Sequence, residues 1–177
     1  MQKKEAVPGR AAESARYQFA STLHMLRGVV EVCPQTVWES CYFGFEYPFW
    51  YQVYHAAFFI DYWFRDAYDG SPWQSMDFDP RIAPEYEHLP PSDAVISRET
   101  MLVFLEKLRI KTERFFDGLT NEKLSRNIIP KNDSCTYADV VFCQIRHVMY
   151  NVGYLNGILR SLNLPESDWY AYNEKDE

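Results

Sequence analysis

"QIRHVMYNVGYLNGILRSL", residues 144–162, is the stretch on which the fold turns. Taken with Val141 just upstream, Ile145, Val148, Val152, Leu155, Leu159 and Leu162 recur in steps of four and three, the spacing of one face of an amphipathic helix. Thr136 or Ser134 can cap its start, and Pro165 is expected to stop it. Beside that apolar stripe lie Gln144, His147 and Asn151. At ~100° per residue, His147 stands ~100° and Asn151 ~60° from Val148, on the same side, and Gln144 and Tyr154 continue the line. An imidazole and a carboxamide on successive turns therefore border the buried face and look into a groove between helices.

Three further segments carry helical periodicity. Over residues 11–32, Ala15, Phe19, Leu23, Leu26 and Val30 share a stripe, which "CPQTVWES" then interrupts. A second helix is expected to place Pro48 in its first turn, where the missing amide proton costs nothing, and to run through "FWYQVYHAAFFIDYWFRDAY", apolar nearly all round. Ser97 is a good cap for the third, with Glu99 in its first turn, a buried stripe of Met101, Leu105, Leu108, Phe115 and Leu119, and an outer Arg109–Glu113 pair. Residues 71–96 hold five prolines without a steady period and form a long connection, either a lid or a strap that packs Trp73 and Phe78 on the helices. The expected fold is all-α: one domain over residues 1–177 with a core at about 11–163, built as an antiparallel four-helix bundle with the long connection between its second and third helices.

Composition narrows the function classes. A chain of 177 residues can bury a continuous core without a stapling metal or disulfide. The net charge of -7 and pI near 5.1 oppose a nucleic-acid groove, which needs a basic surface. No apolar run is long enough to span a bilayer, and none follows the basic start, so the chain reads as cytoplasmic, with no membrane partner. Cys33, Cys41, Cys135 and Cys143 form no C-x-x-C pair, which disfavours structural zinc and a disulfide framework.

The second helix offers a line of its own, Gln52, His55, Phe59 and Tyr62, in which His55 is an isolated basic ring among aromatic and aliphatic residues. His55 and His147, with Asn151 four residues beyond the latter, could converge on a divalent ion, since imidazole suits nickel, zinc or iron and an amide oxygen is a weaker ligand. The competing reading makes each histidine a hydrogen-bonded core ring and makes Gln144, Tyr54, Tyr62 and Tyr154 members of a satisfied polar network or helix-edge packing residues. His24 falls on the line of Ala20, Arg27 and Glu31, away from its core stripe, and reads as a surface residue; His88 sits in the proline-rich connection. Cys143, one turn before His147 and farther round toward the outside, could approach a metal or react with thiols, and reads first as a small packing residue. There is no Gly-rich phosphate loop, G-x-S-x-G or H-E-x-x-H.

"PFWYQVYHAAFFIDYWF", followed much later by "YADVVFCQIRHVMYNVGYLNGILRSL", resembles the DinB-like superfamily of damage-inducible, bacillithiol-transferase-like helical bundles, over about residues 11–163. The resemblance implies a commonly dimeric four-helix bundle whose metal-binding members take one histidine from the second helix and two from an H-x-x-x-H pair on the fourth. By position His55 matches the first and His147 the second, and the third falls on Asn151. It implies in turn a metal that activates a low-molecular-weight thiol or a water, here in an altered His/His/Asn site whose ion is weakly bound or absent. Two function classes follow: a metal-dependent thiol transferase or hydrolase, and a non-enzymatic bundle that binds a small molecule or a protein in the same groove.

Overall fold

A computed structural model describes residues 9–129 and 135–171. Among them there are six helices: α1 (Arg10–Val32), α2 (Gln35–Trp38), α3 (Phe49–Trp63), α4 (Arg98–Asp117), α5 (Asn121–Leu124) and α6 (Tyr137–Ser161). The four long ones are those expected from periodicity. Two single-turn helices are added, α2 in the segment read as an interruption and α5 in the link before α6. Helix α1 packs on α4 and α6, and α3 packs on the same two. No described helix is long and apolar enough to cross a membrane.

Local chemistry explains most of the helix ends. The Ser97 side chain accepts from the Thr100 amide and opens α4. Thr136 and Asp139 form a reciprocal capping box at the start of α6, so Thr136 is the cap, and Ser134 lies outside the described residues. Three expectations need correction. Pro48 is the N-cap of α3 rather than a residue of its first turn. Helix α3 ends at Trp63, not near Tyr68, because Phe64 leaves the helix to pack its ring 4.4 Å from Phe19 and 4.9 Å from Phe115, while the Tyr68 hydroxyl donates to the freed Trp63 carbonyl. Helix α6 ends at Ser161, four residues before Pro165: Asn163 adopts φ 56°, and the amides of Asn163 and Leu164 turn back to Arg160 and Leu159, closing a Schellman motif. Leu162 stands at that cap, partly exposed rather than on the buried stripe.

Buried residues from α1 to α5 and most of α6 form one cluster, with Phe19, Leu26, Trp38, Trp50, Tyr51, Phe104 and Leu155 among its enclosed side chains. The long connection is a strap, not a lid. Phe78 packs 5.2 Å from Tyr54 and 4.9 Å from Phe104, and Trp73 packs edge-on to Phe58 and Tyr62. Buried Asp61 accepts from the amide and hydroxyl of Ser75 and pairs with Lys111 at 2.5 Å, while Lys111 also donates to the Trp73 carbonyl. Farther along, the Tyr51 hydroxyl reaches the carbonyls of Ala83 and Glu85, both at 2.6 Å.

His24 is a further correction. It is half-buried rather than on the open surface, because the chain after α6 returns along α1 and lays Tyr170 on its ring, 3.9 Å between centroids. The same segment places the Ala171 carbonyl on Ser21. The acidic residues beyond Ala171 lie outside the described residues.

Candidate functional site

The strap positions the site. Its Pro84 carbonyl lies 2.7 Å from Nδ1 of His55, and its Tyr86 ring stacks on the imidazole at 4.2 Å. A carbonyl only accepts, so Nδ1 of His55 carries the proton and Nε2 presents its lone pair. That lone pair points across the groove to His147, whose Nε2 is 3.0 Å away. The two histidines, 92 residues apart on α3 and α6, are brought together as the paired polar lines suggest.

Burial holds both rings neutral. It depresses the pKa of His147 to about 4, with the neighbouring His55 adding to the effect, and it lowers that of His55 against the opposing pull of the Pro84 hydrogen bond. Around neutral pH the pair is two uncharged imidazoles, the form that ligates metals.

The rings open on a pocket of about 500 Å³ lined by His55, Phe59, Trp63, Cys143, Gln144, Arg146, His147 and Tyr150. Its walls are mostly apolar, no lining residue is acidic, and Arg146 is its one full cation. Cys143 is exposed at the rim rather than packed as expected, with an Arg146 guanidinium nitrogen 3.9 Å from its sulfur. All four cysteines are free thiols.

Asn151 sits one turn beyond His147 and is 4 % exposed, inside the buried face rather than on its rim. Its amide nitrogen donates to the His147 carbonyl at 2.9 Å, and it does not line the pocket. Gln144 is also buried, at 3 %, and the expectation of a satisfied network fails there: its Oε1 has no hydrogen-bond partner among the described residues. Tyr154 departs from the line and packs with Phe43 and Phe45. His88 is exposed on the strap.

No family model, curated protein or solved structure matches this chain.

The residues themselves give the test of fit to a divalent ion. Among the described residues no three His, Cys, Asp or Glu side chains converge, and beside the two imidazoles the pocket carries the Gln144 amide and, at its rim, the Cys143 thiol. Two nitrogens ~2.0–2.1 Å from one zinc at the tetrahedral angle stand about 3.3 Å apart. The observed 3.0 Å is close to that, but it is a hydrogen bond from His147 to the His55 lone pair, so holding an ion requires His147 to move its proton from Nε2 to Nδ1 and the rings to turn until both lone pairs meet at the ion. The carbonyl behind His55 is the outer partner that metal-bound histidines characteristically have. The pair fits a weakly held ion.

The sequence contained no signal for Pro84, because a main-chain carbonyl has none. Tyr86 was detectable only as an aromatic residue inside a proline-rich connection.

Proposed function

We propose that this chain is a DinB-like antiparallel four-helix bundle in which His55 and His147 hold a zinc, nickel or iron ion loosely, with Asn151 where the resemblance places a third ligand. Its activity is thiol transfer or hydrolysis on a small molecule in the adjoining pocket. The observation that carries the reading is the 3.0 Å approach of two neutral imidazoles, one of them oriented by a strap carbonyl. A bound divalent ion supplies a lowered pKa to a coordinated thiol or water.

The surrounding residues support that chemistry. Phe59 and Trp63 give the pocket apolar walls, which strengthen electrostatic interactions inside it. Arg146, unopposed by any acidic lining residue, favours a ligand that carries a carboxylate or another anion. Cys143 lies at the rim as a spectator.

The homodimer belongs to the same proposal. On the outer face of α6, Phe142 is 60 % exposed, and Gly153 and Gly157 have nothing within 4 Å of the positions a Cβ would take.

The test of activity is consumption of a low-molecular-weight thiol with an electrophilic acceptor, alongside ester hydrolysis, by nickel- or zinc-loaded protein without a histidine tag. One reaction should depend on metal and disappear in His55→Ala. Metal-independent turnover, or none in either assay, sinks the enzyme reading and favours the non-enzymatic binding bundle.

A further inference from the structure

We infer that Gln144, rather than Asn151, is the third protein donor of this site, through its amide oxygen. The inference rests on the reading of His55 and His147 as metal ligands and names what completes them.

Three observations converge on Gln144. Its side chain is almost fully buried, yet its Oε1 is enclosed without a hydrogen-bond partner among the described residues. Buried amide oxygens are rarely left so, and each such group calls for a partner, an ion or an ordered water among them. Gln144 lines the same pocket as His55 and His147. It also precedes His147 by three residues on α6, ~60° round the helix, so both side chains leave the helix on one side. Helical bundles hold ions with a carboxylate and a histidine at this same i, i+3 spacing, and Gln144-x-x-His147 is its uncharged counterpart.

Asn151 has other work. Its amide nitrogen is committed to the His147 carbonyl, and the residue is absent from the pocket lining.

A set of two imidazoles and one amide oxygen has no negative charge. It selects zinc, nickel or iron over calcium or magnesium, holds them loosely, and leaves the ion's full charge for an anionic ligand such as a thiolate. The acid-free pocket with Arg146 at its rim has the same preference.

The experiment is titration of the tag-free apoprotein with zinc and with cobalt(II), whose visible spectrum reports the donor set. It uses wild type, Gln144→Leu, Gln144→Glu and Cys143→Ser. Gln144→Leu should weaken binding at least roughly tenfold, the loss that even an outer-shell partner produces, and should alter the cobalt spectrum. Gln144→Glu should bind more tightly than wild type, since a carboxylate replaces a neutral oxygen. The melting temperature of apo Gln144→Leu should not fall, because no hydrogen bond is lost, and a fall would assign Gln144 a structural role and overturn the inference. Wild-type affinity and an unchanged cobalt spectrum in Gln144→Leu would overturn it while leaving the histidine pair standing. Loss of binding in Cys143→Ser alone would give the third position to the thiol. Absence of binding in wild type removes both this inference and the metal reading beneath it.

Discussion

His147 sits where two demands conflict: a ring that must be buried and a ring that titrates near neutrality. Its pKa in the fold is about 4 because burial and then the facing His55 disfavour the cation, against ~6.5 in an unfolded chain. Below pH ~6.5 the unfolded state therefore binds more protons than the native one, so stability falls as pH drops from ~6.5 toward 4 and is level in this respect above that window. His55, also depressed by burial, acts in the same direction. Urea midpoints at pH 7 and pH 5 should differ by less in His147→Asn than in wild type, and equal differences would contradict the neutral buried pair. Asn151→His should leave zinc and nickel affinity close to that of wild type, because residue 151 is buried against the His147 carbonyl and does not line the pocket. Tighter binding would return the third position to residue 151. His55 and His147 were legible in the sequence because each is a lone imidazole on an apolar helix, and helical geometry relates it to its neighbours. The depth of Asn151 and Gln144 was not legible, because the width of a buried face depends on which helices cover it, here α1 and α3 together.

At the scale of elements, ends and straps carry testable energies. Asn163 holds the left-handed conformation that terminates α6. Asn163→Val should destabilise by roughly 1–2 kcal/mol, the cost of that region for a residue with an ordinary Cβ, and Asn163→Gly should be neutral or better. Removal of the Thr136 cap as Thr136→Ala should cost about 1 kcal/mol. Urea unfolding resolves both, and an insensitive Asn163→Val would show that the closing motif is not what ends the helix. The strap depends on Lys111, which is mostly enclosed against Asp61, itself only 2 % exposed. Lys111→Met leaves that carboxylate buried and unpaired and should destabilise by ~3–5 kcal/mol, whereas replacing both partners by apolar residues should cost far less. Similar losses in the single and double variants would contradict a coupled buried pair. Periodicity marked α1, α4 and α6 because each has a polar side to contrast with its stripe. Helix α3 has little such contrast, and its end is set by Phe64 meeting Phe19 and Phe115 from distant elements, which no local pattern encodes. The choice between lid and strap likewise rested on Asp61, Tyr51 and Lys111, none of which lies in the connection.

At the scale of the whole molecule, α1, α3, α4 and α6 enclose the core, and the histidine pair bridges α3 and α6 beneath the strap. The outer face of α6 with Phe142, Gly153 and Gly157 is where a second copy should sit, and light scattering at micromolar concentration should give twice the 21.0 kDa chain mass. A 21.0 kDa particle would contradict the dimer and leave the metal site untouched. The site is tested most directly by calorimetric titration of tag-free, chelator-treated protein with zinc and nickel, for wild type, His55→Ala and His147→Ala. The account predicts one loosely held ion per chain in wild type, removable by chelator, and loss of that binding in each variant with the helical circular dichroism retained. No binding by wild type, or binding equal in all three proteins, would contradict it.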